Sequence, residues 1–392
     1  MLRFSILVLM HLLIGTANAA GLPVLTPDQA GFRAEILAEI DEPITVAIEQ
    51  QQMPGCVVLI GRPQGIAWFK AYGRKRIEPE QEAMALDTVF DLASLTKPVS
   101  TATSVMMLAE SGRLSVDDPV ASYIPEFAVE GKESITIRDL LVHRSGLIPD
   151  NPMSDYLDGP MKARERLFAL KLTAPIGSSF KYSDVNFMIL GEIVERVSKA
   201  SLNEFSRSQI FMPLGMSETG YLPGESLRVR AAPTERRNEE WIQGTVHDPR
   251  AYQLGGVAGH AGLFGTAHDL AMYAQDVLSG LKHDKSRMLK KATWQLMTQP
   301  HIISSPGKEG EVLQDVRGLG WDIQSRYSSN RGKLLSKSSF GHGGFTGTSL
   351  WIDPDRELFV IFLSNRIHPN GRGLVNPLVG KITEIVVKSL AD

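Results

Sequence analysis

The chain has 392 residues, with 41 Lys+Arg against 44 Asp+Glu and a formal charge of −3 at pH 7. That near balance does not favour nucleic acid or an anionic membrane surface as a partner. Cys56 is the only cysteine, which excludes an internal disulfide; ahead of the apolar run in "PGCVVLI" it reads as a buried structural thiol.

Residues 1–19 read as a secretory signal peptide. Arg3 supplies the positive start, Phe4 to Ile14 is mostly apolar, and Ala17-Asn18-Ala19 has the A-x-A cleavage form. The apolar run is too short to span a bilayer comfortably, and no later stretch approaches that length. The expectation is a secreted, periplasmic protein with no stable membrane insertion after cleavage. Residues 20–392 suit one large domain.

Residues 28–52 predict a helix, with Ile36, Leu37, Ile40, Ile44, Ala47 and Ile48 at helical intervals. "CVVLIGRPQGIAWFKAYG" predicts two strands around a Pro/Gly turn. "VSTATSVMMLAESG" predicts a buried helix ended by Gly112. "SITIRDLLVHRSG" predicts a capped helix, and "DVNFMILGEIVERVS" and "AHDLAMYAQDVLSG" predict two more. "PTERRNEEW" at 233–241, with charges of both signs, reads as a solvated loop. Then "GLGWDI", "SSFGHGGF", "TSLWIDP" and "ELFVIFLSN" predict short strands, and "LVNPLVGKITEIVVKSL" a closing helix. Strand signals at both ends with helices between predict an α/β fold. Its antiparallel sheet is built from both chain ends (about 28–95 and 310–392) and flanked by helices. A mostly helical region (about 96–309) is inserted.

Three stretches carry chemistry. In "DLASLTKPVS", Ser94 and Lys97 lie three apart, on one face if a helix starts near Ser94. A serine hydroxyl needs a base in reach and donors for the developing oxyanion. Lys97 serves as that base only if desolvation or a nearby cation lowers its pKa. In "FKYSDVNF", Tyr182 beside an ammonium is a proton carrier with a depressed pKa, or else a core tyrosine at a helix entry capped by Ser183 or Asp184. In "SFGHGGFTGTSLWIDP", His342, Gly343 and Gly344 open a strand against which a substrate backbone can lie, or else form a glycine-rich turn.

S-x-x-K, then Y-x-(N/D), then K/H-x-G, in this order and at these separations, resembles the serine β-lactamase and penicillin-binding-protein-like hydrolases. The class C β-lactamases and their esterase and peptidase relatives are the most similar. "LLVHRSGL", "GLFGTAHDLAMYAQ" and "GTSLWIDP" carry the resemblance further, from about residue 30 to 390. It implies a sheet domain with a helical insert and an acyl-enzyme on Ser94. It implies acid–base work shared by Lys97 and Tyr182, and an oxyanion hole from the Ser94 and Phe345 N–H groups. Asp184 stands where the family usually has Asn, and His342 where it usually has Lys. Asp184 adds a negative charge beside Lys97, and His342 is a weaker, pH-dependent cation.

"GTVHDPRAYQLGGVAGHAGLFGTA" at 244–267 is similar to a subgroup with muramyl-L-alanine amidases and periplasmic D-Ala carboxypeptidases. There His260 either lines the site and binds substrate or is a satisfied structural histidine. His247 and Asp248 pair to stabilise the loop or contact a sugar. His247, Asp248 and His260 lack paired-ligand spacing, so no metal is assigned, and no cofactor is called for. His143 reads as structural. The expectation is an exported serine hydrolase acting on an amide of a peptidoglycan-derived peptide. A muramyl-peptide amidase or a D-Ala carboxypeptidase fits. The alternatives are a carboxylesterase, a weak β-lactamase, or a catalytically silent cell-wall or β-lactam binder.

Overall fold

The computed structural model describes residues 21–391; the expected signal peptide lies outside them. In chain order the strands are β1 (Gly55–Arg62), β2 (Gly65–Arg76), β3 (Glu82–Ala83), β4 (Phe90–Asp91), β5 (Gly220–Tyr221), β6 (Arg236–Arg237) and β7 (Glu240–Trp241). They continue as β8 (Leu263–Gly265), β9 (His301–Pro306), β10 (Val312–Arg317), β11 (Asp322–Gln324), β12 (Phe340–Gly344), β13 (Thr348–Asp353) and β14 (Leu358–Ser364).

Nine of them form one antiparallel sheet in the order β3-β2-β1-β14-β13-β12-β11-β10-β9. The N-terminal hairpin β1–β2 joins the C-terminal strands where Cys56–Gly61 pairs with Phe359–Ser364. The expected sheet from both chain ends is therefore present. Side chains alternate across it, because successive Cβ atoms point to opposite faces of a strand. Val57, Leu59, Leu350, Ile361 and Leu363 enter the large core beneath the helical region. Cys56, Val58, Ile60, Trp351, Val360 and Phe362 face the second core, under the helices Asp41–Glu49 and Asn376–Ser389. Cys56 is free and buried, as expected.

Three elements differ from expectation. Within 28–52 the chain is helical without interruption from Ala34 to Glu49 (α-helix Ala34–Leu37, 3₁₀ turn Ala38–Ile40, α-helix Asp41–Glu49), and only the 3₁₀ turn Asp28–Ala30 stands apart. The separation lies where the chain is pinned to the C-terminal helix: Phe32 bridges to Leu390, and the Arg33 N–H donates to the Ser389 carbonyl at 2.7 Å. "GLGWDI" gives only the three-residue β11, since Gly318 N–H closes a turn onto the Trp321 carbonyl. The segment 233–241 is solvated as expected at Arg236 and 238–240, but it is a small hairpin rather than a loop, with Thr234 buried and Arg236–Arg237 paired to Glu240–Trp241.

Candidate active site

Ser94 is the middle residue of a 3₁₀ turn, Ala93–Leu95, which runs into a π-helical stretch, Lys97–Ala102, and then the helix Thr103–Glu110. The Thr103 N–H reaches back to the Pro98 carbonyl, an i→i−5 bond of the kind that marks π-bulges at functional sites. Ala93 has φ of +45°, a left-handed value that a Cβ disfavours.

That turn is held from several directions. Asp91 accepts the Ala93 N–H on Oδ1 at 2.8 Å and the His247 N–H on Oδ2 at 2.7 Å. The hydroxyls of Thr346 and Thr348 donate to the carbonyls of Asp91 and Leu92. A Cβ on Gly344 would lie 2.7 Å from the Leu92 carbonyl oxygen, so β12 can press against the Ser94 turn only with glycine there.

Lys97 is fully buried, and its Nζ lies within 3.1 Å of three acceptors. Asp184 Oδ1 is at 2.7 Å, Ser94 Oγ at 2.9 Å and the His260 carbonyl at 3.1 Å. Burial alone would lower the Lys97 pKa, but Asp184 and Tyr182 more than offset it and push it up. The lysine is an ammonium here, the reverse of the lowered pKa expected of a base. Tyr182 differs in the same sense: burial raises its pKa, and the nearby Lys97 offsets this only in part. Its hydroxyl is buried beside Lys97 and Ser94 without a well-aligned hydrogen bond, and its ring sits near His143 (centroids 4.6 Å apart) and Tyr327 (5.2 Å). His143 Nδ1 accepts the Ser183 N–H at 3.0 Å, which fixes the residue after Tyr182.

His342 corrects another expectation. Burial, then the charges of Arg317 and Lys97, hold its pKa well below the usual histidine range, so it is neutral and not a cation. Its Nδ1 faces the Gly343 carbonyl at 2.7 Å and must carry the ring proton, leaving Nε2 as a bare acceptor. The nearby cation is Arg317, at the end of β10. Its Nη1 lies 3.3 Å from Asp322 Oδ1, while Nε and Nη2 are buried without a partner. Those two nitrogens form the side-on fork that holds a carboxylate bidentately.

The expected pairing of His247 with Asp248 is absent. His247 Nε2 meets Glu235 Oε2 at 2.5 Å, and Asp248 Oδ1 meets His260 Nε2 at 2.9 Å. Against the cost of burial, His260 and the Ala251 N–H hold the Asp248 carboxyl well below the usual carboxylate range. His260 thus lines the cleft and meets Asp248 through Nε2, while its Nδ1 is buried without a partner. Asp184, Asp248 and His260 bring ligand atoms within 4.8 Å of one another, but Asp184 is paired with Lys97 and Asp248 with His260, so they are read as ion-pair partners and not as metal ligands.

A cleft of about 540 Å³ brings Ser94, Tyr182, Asp184, His260, His342, Gly343, Gly344 and Phe345 to one surface, with Arg317 and Asn330 in its wall. Phe345 stands at its rim, stacked on His247 (5.6 Å) and under Arg366 (4.8 Å), and its N–H makes no hydrogen bond within the chain. Asp91, Thr346, Thr348, Arg317 and Asn330 were not legible as site residues. Asp91, Thr346 and Thr348 lie inside the quoted motif stretches, but their bonds to His247 and to the Ser94 turn span 156 to 256 positions, which no local motif encodes.

The loop 244–267 reaches Lys97 through a close backbone crossing. A Cβ on Gly259 would sit 1.9 Å from the Phe187 carbonyl oxygen, on the helix Asp184–Ser198, and the Gly259 carbonyl accepts from Thr101. Gly259→Ala is expected to cost roughly 1–3 kcal/mol by overpacking and to lower turnover by displacing the His260 carbonyl. Chemical denaturation and kinetics on one preparation check this; unchanged stability would contradict it.

Residues 35–383 match the sequence pattern of the family described as Beta-lactamase. An Escherichia coli (strain K12) protein, provisionally named a D-alanyl-D-alanine carboxypeptidase, is 32% identical over 396 residues, covering 90% of this chain and 88% of its own. A solved penicillin-binding-protein homologue from Caulobacter crescentus is similar in fold, with TM-score 0.74, 23% identity, and 92% and 99% of the two chains covered. So is EstCE1, a hydrolase with promiscuous acyltransferase activity, at TM-score 0.71, 25% identity and 90% and 99% coverage. By the matched span and the shared identity, the chain belongs to the Beta-lactamase family and is a serine hydrolase.

Proposed function

We propose that the protein is a periplasmic hydrolase that forms an acyl-enzyme on Ser94 and removes a C-terminal D-alanine from peptidoglycan-derived peptides. The observation that carries the reading is the contact of Ser94 Oγ with Lys97 Nζ at 2.9 Å on the floor of the cleft, beside Tyr182. Ser94 Oγ attacks the acyl carbon, and the oxyanion is received by the N–H groups of Ser94 and Phe345. The unused fork of Arg317 supports a substrate bearing a carboxylate, and the name of the Escherichia coli relative supports D-alanine as the leaving group.

A second reading, cleavage of the muramyl–L-alanine amide, is favoured by Phe345. It is 57% exposed at the rim and held by His247 and Arg366, and its exposed edge offers an apolar surface against which a sugar can lie. Incubation with a muropeptide carrying a D-Ala-D-Ala terminus separates the two. Released D-alanine supports the first, and released L-alanyl peptide the second. Turnover of a p-nitrophenyl ester with neither product would leave an esterase instead.

A further inference from the structure

The Lys97 ammonium poses a problem for any acyl transfer at Ser94. A charged lysine has no lone pair with which to take the serine proton. Its three near acceptors are Ser94 Oγ, the His260 carbonyl and Asp184 Oδ1. Of these the Asp184 carboxylate is the one anionic oxygen. Asp184 Oδ1 is shielded from water and receives no aligned hydrogen bond, although Lys97 Nζ is 2.7 Å away. Asp184 is placed firmly: Ser183 caps the helix Asp184–Ser198 through the Asn186 N–H, and the Asp184 N–H donates to the Pro149 carbonyl.

We propose that Asp184 is the terminal proton acceptor of a Ser94–Lys97–Asp184 relay. The proposal rests on the acyl-enzyme reading above. As Ser94 Oγ bonds to the acyl carbon, the carbonyl π pair moves onto its oxygen. An ammonium proton first passes from Lys97 Nζ to Asp184 Oδ1, the neutral amine turns its freed lone pair toward Ser94, and the Oγ proton then passes to Nζ. Lys97 keeps its charge, Asp184 becomes neutral and the substrate gains the oxyanion, so charge and protons balance. On collapse the C–N or C–O bond of the leaving group breaks. The departing atom takes a proton from Lys97, which recovers one from Asp184. Hydrolysis of the acyl-enzyme repeats the sequence with water in place of the serine.

The charged and titratable groups facing Asp184 are Lys97, Tyr182, Asp150, Asp248, His260 and Arg250. The like charges of Asp248 and Asp150 are themselves answered, Asp248 by His260 and Lys97 and Asp150 by Arg250. With asparagine at 184 the relay has no terminus, and Lys97 must lose its proton to solvent before it acts as base.

The test is the pH profile of kcat/KM for a p-nitrophenyl ester with wild type, Asp184→Asn and Asp184→Glu. The acid limb of Asp184→Asn is expected to move to higher pH. The loss is about 100-fold near pH 6, within the range of lost acid–base catalysis, and narrows as pH rises. Asp184→Glu restores part of the wild-type profile. An acid limb that stays in place or moves lower, or a loss equal at every pH, overturns the relay. Acylation of Ser94 in wild type is followed by mass in parallel. Acylation with an unmoved profile sinks the relay alone, whereas no acylation sinks the acyl-enzyme reading itself. Matching melting temperatures of Asp184→Asn and wild type exclude misfolding as the cause.

Discussion

Ser94→Ala is expected to abolish turnover, by about 10⁴-fold or more in kcat, the scale on which a covalent nucleophile is lost in serine hydrolases. The expectation follows from geometry. Oγ is the one atom of the Ser94 side chain that Lys97 Nζ contacts, and the turn presenting it is held by Asp91, Thr346 and Thr348 through backbone atoms alone. Removing Oγ therefore leaves those bonds intact, and the melting temperature stays near wild type. Substrate still enters the cleft, so binding measured by calorimetry survives while chemistry does not. Residual turnover within tenfold of wild type would mean that another group performs the attack.

Arg317→Ala is expected to lower kcat/KM by about 100-fold for a substrate with a free carboxylate, and far less for p-nitrophenyl acetate. Truncating one partner of a buried charge-assisted contact typically costs about 2–5 kcal/mol. Arg317 is buried in the cleft wall with Nε and Nη2 unpartnered, so a substrate carboxylate that reached them would supply the missing acceptors. His342 cannot substitute, being neutral with a bare Nε2. Arg317→Lys is the companion variant. It keeps the charge beside Asp322 but lacks the planar fork, so it should fold and still discriminate poorly between the two substrates. Equal losses on both substrates, in both variants, would remove Arg317 from carboxylate recognition.

The sheet was legible because β1, β13 and β14 are written as apolar runs bounded by Gly, Pro and Asn, and their two-sided burial needs no long-range knowledge. β9 and β10 were missed. In "HIISSP" and "VLQDVR" the buried positions are Ile303, Ser305, Asp315 and Arg317, so hydropathy alternation is absent where the strands bury polar groups. The same feature hid Arg317. Ser94, Lys97, Tyr182 and the β12 glycines were picked out through motif order; Ser94, Tyr182, Gly343 and Gly344 line one cleft, and Lys97 is buried against Ser94 Oγ. Their electrostatics were harder to read. Asp184 was seen to threaten a free lysine, but the charge on His342 depends on burial and on Arg317, neither of which is local in sequence. Likewise His247 and Asp248 are neighbours in the chain whose side chains diverge to Glu235 and His260.

Protein acid-quenched during turnover of a p-nitrophenyl ester, then digested and mapped by mass spectrometry, reports directly where the acyl group rests. The predicted result is one added acyl mass on the peptide containing Ser94, absent from Ser94→Ala and chased off when substrate is exhausted. An acyl group on another residue, or continued turnover with no acylated peptide at any quench time, would contradict nucleophilic catalysis by Ser94.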